Sequence, residues 1–340
     1  MNVTEHERPG VYSAYDASSV VRGSRGGRAV GLAGICSKLT AGTVESFGSF
    51  QQAESRLGAG EGMTELIRLL FSNGAGRVYV AAAADEGGYE AAFAALEKVE
   101  GLAVVVCDSA QAAVQQRLRE SVKKASVNRR ERLAVVCGGD GETVEELVER
   151  AESLNCERVV LVAPGGIGAA AAVAGAVAGE QDPAVPLGGL ELKGLSGVEA
   201  LWDDNELDTL ILGGVTPLEA RGGVASVVRG ITTRTKTGQA GDATWRELTT
   251  IRVVDDVIPG LREALGARFS RAKNTEQGRG AIRSQVIVEL ENKMRQEIIT
   301  GYDGVSVSAM EGNPTVCLVE FGFQVAHGLN QIWVTAHITV

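Results

Sequence analysis

A chain of 340 residues, 44% hydrophobic and 22% charged, can bury cores for two compact domains plus extensions. It contains no run of 18 or more apolar residues, so no membrane-inserting helix is expected. The polar start Met1–Gly10, with Glu5, Glu7 and Arg8, does not read as a secretory signal. The net charge is −10, but it is uneven: 13 Lys and Arg stand against 12 Asp and Glu from Gly222 onward, leaving −11 on the first 221 residues. An acidic chain with one basic stretch argues against direct nucleic-acid binding. That stretch holds Arg262, Arg268, Arg271, Lys273, Arg279 and Arg283 against two acids, Glu263 and Glu276. It is either a solvated helix surface or a face aimed at one acidic partner. The five cysteines are odd in number and far apart, and Cys107, Cys137 and Cys317 lie in or beside apolar runs, the pattern of buried free thiols in a reducing compartment.

Residues 1–21 read as an arm. Arg8-Pro9-Gly10 is a turn signal, and Val11-Tyr12-Ser13-Ala14-Tyr15 a short strand, with little to bury on either side. Residues 22–221 alternate strand and helix. Strands are predicted over Ala29–Ile35, Arg77–Ala83, Leu102–Cys107, Arg132–Cys137 and Arg158–Ala163. Helices fall between them: Phe50–Leu57, Met63–Asn73, Gly88–Val99, a segment ending near Ser126, and Glu142–Leu154. Continuous apolar strands separated by helices mark a mainly parallel sheet covered on both faces, an α/β domain. Pro164–Gly179 is a helix of small residues behind a Gly-rich turn, Thr209–Leu212 a short strand, and Arg221-Gly222-Gly223 the domain boundary.

Residues 222–328 read differently. Val224–Thr233 and Thr244–Val253 alternate like strands around a polar hairpin-like loop, Thr235–Asp242. Helices follow over Val257–Phe269 and, capped by Thr275, about Glu276–Ile299, the second with an apolar stripe Ile282, Val286, Leu290, Met294, Ile298. Val305–Met310 and Thr315–Val325 are strands about Gly312-Asn313-Pro314, giving an α+β layout. In residues 329–340, Ile332, Val334, Ala336, Ile338 and Val340 alternate with Trp333, Thr335, His337 and Thr339. That is a strand of roughly 40 Å reach at about 3.3 Å per residue. It either closes its own sheet or adds to the open edge of a neighbour's.

Few residues suggest chemistry. Gly166-x-Gly168-x-x-Ala171 follows a strand and opens a helix, with Glu191 about 20 residues on, the setting of a dinucleotide site. Yet the strand before it is the fifth of its domain, and a Gly/Ala packing helix explains the same letters. The three histidines, His6, His327 and His337, accompany no nucleophile motif, and no Cys or His pair has metal-ligand spacing. Asp203-Asp204 and Asp255-Asp256 read as acids at helix starts. No catalytic residue, cofactor or metal site is therefore assigned.

Several segments together resemble the contractile tail sheath proteins of bacteriophages and phage-tail-like particles. Glu7-Arg8-Pro9-Gly10-Val11-Tyr12 is similar to the family's ERPGVY opening, and Ala174–Gly179 followed by Asp182-Pro183 to its AG-x-x-AG helix. Val228–Thr233 and Trp245–Asp256 resemble its most recognisable run. The resemblance covers nearly the whole chain. It implies a structural subunit, not an enzyme, which polymerises with itself as stacked hexameric rings around an inner tail tube and contracts to drive the tube through a target envelope. It implies strand exchange by the arms, through Val11, Tyr12 and Tyr15 at one end and Ile332, Trp333, Val334, Ile338 and Val340 at the other. Further implied partners are the tube protein, the baseplate and the tail terminator, in a virion tail or phage-tail-like particle assembled in the bacterial host cytoplasm. The α/β domain would be outer and the α+β domain inner, with the basic stretch facing the tube. The alternative from a different class is an enzyme with a Rossmann-like nucleotide-cofactor domain.

Overall fold

The computed structural model describes residues 28–195 and 202–330. The predicted arm residues Val11, Tyr12, Tyr15, Ile332, Trp333, Val334, Ile338 and Val340 lie outside the described residues.

The chain builds its main sheet from runs of apolar residues too short for helices. In order these elements are β1 (Ala29–Ile35), β2 (Val44–Phe47), α1 (Phe50–Leu57), α2 (Gly62–Ser72), β3 (Arg77–Ala83), α3 (Tyr89–Glu97), β4 (Leu102–Cys107) and α4 (Ala112–Val127). They continue with β5 (Leu133–Cys137), α5 (Val144–Leu154), β6 (Val159–Ala163), α6 (Gly166–Gly179), α7 (Asp204–Leu212), β7 (Val215–Arg221) and β8 (Val224–Val227). The eight strands lie in the order β2-β3-β1-β4-β5-β6-β7-β8. β1, β3, β4, β5, β6 and β7 are parallel, and β2 and β8 close the two edges antiparallel.

Side-chain alternation assigns the faces. Val30, Leu32, Val104, Val106, Val160 and Val162 point into one core with α1, α2 and α6. Ala33, Val105, Cys107, Ala134, Val136 and Leu161 point into the other, with α3, α4, α5 and α7. Helix α6 is walled in on every side, with Ala169, Ala170, Ala171, Ala172, Val173 and Ala174 all at 0% exposure. Its small side chains let α2 close on it backbone to backbone. A Cβ on Gly175 would stand 2.5 Å from the Leu70 carbonyl oxygen, and one on Gly179 2.9 Å from Gly74 Cα. The AG-x-x-AG run is thus a packing device at the centre of the domain.

Two expectations fail at the end of this domain. Thr209–Leu212 is not a strand but the last turn of α7. Asp203 caps that helix through the Glu206 amide, and the Glu206 carboxylate returns to the Asp203 amide. The strand follows Gly213-Gly214 as β7. The predicted boundary Arg221-Gly222-Gly223 is the turn of the β7–β8 hairpin, with Gly222 and Gly223 at φ 59° and 83°. The eight-stranded sheet therefore runs on to Val227.

Beyond it lie a small polar hairpin, β9 (Lys236–Thr237) with β10 (Ala240–Gly241), then α8 (Leu248–Phe269), α9 (Glu276–Arg295), β11 (Ile299–Met310) and β12 (Asn313–Val325). The predicted strand Val224–Thr233 ends at Val227, and from 228 to 233 the chain is irregular apart from a bridge between Ile231 and Glu247. The predicted strand Thr244–Val253 is instead largely the first turns of α8. Thr249, Thr250, Ile251, Arg252 and Val253 are all buried there, so burial overrides the β propensity of Thr, Ile and Val. Because α8 begins at Leu248, Asp255-Asp256 sits inside the helix, not at its start. Helix α9 stops at Arg295, and Ile298 and Ile299 open the β11 side of a third core, with Val253, Val257, Val286 and Leu290.

The α2–α6 contact has no slack. Gly175→Val is expected to destabilise the chain by about 1–3 kcal/mol, the usual cost of overpacking a filled core. Ala176→Gly on the same helix should cost about 1–2 kcal/mol, the helix-propensity loss plus one buried methyl. Urea unfolding of the two variants measures the difference.

Candidate assembly surfaces

Helix α8 joins the two parts of the molecule. The Arg252 guanidinium is 3% exposed and donates to three carbonyl oxygens, Glu180 at 2.9 Å, Asp182 at 3.1 Å and Val185 at 3.2 Å. Burial draws its pKa down to about 10. One turn on, Asp255 receives a two-pronged bond from Arg158 at 2.7 and 2.9 Å, both side chains being 13% exposed. The neighbouring Asp256 takes Lys293 of α9 and lies 4.0 Å from Arg28. An acidic pair that reads as helix capping is thus the bolt between sheet domain, α8 and α9. Sequence reading missed Arg158 and Arg252, because a buried arginine among β-branched residues carries no spacing signature.

From this junction α8, α9 and the β11–β12 hairpin extend as one layer. Val319, Phe321, Phe323 and Val325 alternate along β12 and pack against the helices, with the Phe321 and Phe323 ring centroids 6.2 Å apart. The opposite face carries Leu318, Glu320 and Gln324, with Leu318 and Met310 exposed. β11 pairs with β12 and with no other strand among the described residues, and the same holds of β12. Strands of 12 and 13 residues therefore present two outer edges with no strand partner among the described residues, although the Val305 and Val316 carbonyls accept side-chain bonds from Arg283 and Asn274. A lone two-stranded ladder is marginal in water, and additional strands on such edges would complete it.

The structure divides the six basic candidates. Arg262 is turned back onto Glu131 at 2.8 Å, and this bond, against the opposing effect of burial, holds the Glu131 carboxyl below its usual range. Arg268 donates to Gln285, Arg279 to Asn274 at 3.1 Å, and Arg283 to the Val305 carbonyl at 3.0 Å. Arg271 and Lys273 are exposed at the α8–α9 turn, with no carboxylate of the described residues in ion-pair range. That turn is tied to the hairpin by Asn274, which donates to the Val316 carbonyl at 3.2 Å. Five of the six thus gather at the α8–α9 turn and the first half of α9, and Arg262 faces the sheet domain.

The Gly-rich turn before α6 gives the dinucleotide reading its physical test. A cleft of about 220 Å³ lies there, lined by Gly138, Gly139, Asp140, Glu142 and Pro164–Gly166. The Glu142 carboxylate faces the cleft from the loop after β5, accepting the Gly139 amide of that loop at 2.8 Å, and pairs with Arg150 on its other side. Burial works to raise the Glu142 pKa, but the Arg150 and Gly139 bonds outweigh it and hold the carboxyl below its usual range. A phosphate would meet two carboxylates here. Glu191, the proposed ribose ligand, is bridged through its backbone to Ser226 at the β8 edge. The residues present do not fit a pyrophosphate.

The sheet domain is thus bolted to a hairpin whose outer edges have no strand partner among the described residues. Two family descriptions match, the phage tail sheath protein central domain over residues 82–233 and the phage tail sheath C-terminal domain over residues 240–339. The chain belongs to the phage tail sheath family. A tail sheath protein of Bacillus phage SP01 is 30% identical over 250 residues, a match spanning 69% of this chain and 42% of that protein. The chain therefore matches less than half the length of that curated relative. The fold is also that of solved sheath proteins. The anti-feeding prophage helical sheath in its contracted state superposes with a TM-score of 0.73 at 16% identity, over 98% of this chain and 99% of that one. A sheath tail protein of Listeria innocua gives 0.74 at 14% identity, over 91% and 94%.

Glu142→Gln should destabilise the chain by about 1–3 kcal/mol at neutral pH by leaving the largely buried Arg150 without its carboxylate. Because the folded Glu142 carboxyl titrates below the ordinary 4.5, its contribution is complete above that value and lost as pH falls through the lower folded value. The wild-type and variant urea midpoints should therefore converge in acid, and a gap that persists there contradicts this assignment.

Proposed function

We propose that this chain is the structural subunit of a contractile tail sheath, polymerising as stacked hexameric rings around an inner tail tube and contracting to push the tube through a target envelope. The observation that carries the reading is the β11–β12 hairpin, whose long outer edges have no strand partner among the described residues. The period-two pattern of residues 331–340 supplies the complementary part, a strand that adds to a neighbour's sheet. Val11, Tyr12 and Tyr15 would add from the other end. The related anti-feeding prophage sheath is described in a contracted helical state, and a chain of the same fold belongs to a six-fold symmetrised baseplate. These support the ring symmetry and the contraction.

In this reading residues 22–221, with β8 in the same sheet, form the outer domain. The rest of residues 222–328 forms the inner, tube-facing domain, and residues 1–21 and 329–340 the arms. The exposed Arg271 and Lys273, with Arg268, Arg279 and Arg283 beside them, face the tube. Exposed pairs across that surface would set register and still release, since each is worth little singly. Baseplate and terminator proteins bound the polymer's two ends. The particle is a virion tail or a phage-tail-like relative, assembled in the bacterial cytoplasm. The chain performs no catalysis; the work comes from the assembled lattice.

Negative-stain electron microscopy tests this directly. The full chain expressed with its tube protein should give long hollow cylinders, and chains lacking residues 1–21 or 331–340 should give none while keeping a cooperative unfolding transition. Normal cylinders from either truncated chain would overturn the arm assignment. Separately, the triple charge reversal Arg268→Glu, Arg271→Glu, Lys273→Glu should abolish tube-templated growth at physiological salt. Unchanged growth would remove the basic turn from the tube interface.

A further inference from the structure

A groove of about 570 Å³ runs along α8 between the sheet domain and α9. Its floor is small: Gly260, Ala264 and Ala267 leave room for a backbone to lie close to the helix. A Cβ built on Gly260 meets nothing within 4 Å. Its walls carry Asp255, Asp256, Glu263 and Glu289 against Lys293; Asp255 is taken by Arg158 and Asp256 by Lys293. Among the described residues Glu263, which is exposed, pairs with no cation, and Glu289 accepts the Gln285 side-chain amide at 2.7 Å and pairs with no cation. Arg28, the first described residue, stands on the rim with its guanidinium 4.0 Å from Asp256.

We propose that this groove seats residues 22–27 of its own chain. That segment reads Arg22-Gly23-Ser24-Arg25-Gly26-Gly27. It offers two guanidinium groups for the two carboxylates without a cation, on a backbone of glycine and serine thin enough for the floor. The lengths agree: Asp255 to Ala267 advances about 18 Å along the helix at 1.5 Å per residue, and six extended residues reach about 20 Å at 3.3 Å each. Occupation in cis follows from the rim position of Arg28, since a short tether gives the segment a high effective concentration at its own groove. The clip fixes the direction in which the first 21 residues leave the subunit, toward the α8–α9 turn. It stands on the groove itself and does not require that those residues exchange strands.

Trypsin cleavage of the full chain reads the clip, because Arg22 and Arg25 are both cleavage sites. At low salt, cleavage after these two should be slow relative to the exposed Arg129 in the turn after α4. Glu263→Gln with Glu289→Gln should speed it roughly five- to tenfold, the loss of two solvent-accessible ion pairs. Salt at 1 M should do the same to the wild type, with the Arg129 rate as internal reference. The protection should not change with protein concentration. Rates at Arg22 and Arg25 that respond neither to salt nor to the paired substitution overturn the proposal, whatever the truncated chains do in assembly. Protection that fades on dilution also overturns it, and gives the groove to the linker of a second copy. A disulfide between Ser24→Cys and Ala267→Cys, mapped within single chains by mass spectrometry, is the positive counterpart.

Discussion

Everything beyond the eight-stranded sheet hangs from one helix held by buried charge. Arg252 gives its protons to three carbonyl oxygens where the chain leaves α6, and Arg158 forks onto Asp255 one turn later. Removing either partner of such a pair strands a charge away from water, which costs several kcal/mol. That is a stiff hinge compared with apolar contact alone, because its geometry is directional. A force applied to the hairpin end would reach the sheet through these bonds, and then through α6, which has no free volume to absorb it.

The acidic and basic halves fit the same layout. The first 221 residues carry the excess of acid, while the bases collect around the α8–α9 turn. Arg262 shows why counting charge in sequence overstates a patch. It lies six residues before Arg268, nearly two helical turns, and rotates onto Glu131 of the sheet domain, so it secures the junction. Arg271 and Lys273, in the turn itself, have no such internal partner among the described residues.

The sheet domain was largely readable because parallel strands buried on both faces are unbroken apolar runs, and the stops between them are glycine or asparagine. Leu102–Cys107 and Arg77–Ala83 were placed to the residue for that reason. Short edge elements were not: β2, four residues with a charged Glu45 in it, gives no periodic signal. Helix α7 had a legible start in Asp203 and Glu206, but the apolar Leu210-Ile211-Leu212 at its end mimics a strand. Helix α8 was hidden more deeply. Its first turns are buried on all sides, which erases the 3.6-residue period, and Pro259 sits in its middle. Of the candidate surfaces, the basic residues and the strand-like ends were visible as pattern, whereas the unfinished hairpin and the groove along α8 exist only once the helices are packed.

Among the described residues the hairpin has two open edges, and an open edge can pair with a wrong strand. Its register shifts three times, between Ile299 and Gly301, between Asp303 and Ser306, and between Ala309 and Met310. Each bulge breaks the even row of donors and acceptors and adds local twist, so a flat, indiscriminate strand cannot zip along the full edge. Only a segment whose own pattern accommodates the interruptions pairs over the whole length. Polar side chains on the outer face, Ser306, Ser308 and Glu320 among them, oppose stacking of a second sheet there. The edge is thus open to addition in its plane, while its outer face is polar apart from Leu318 and Met310.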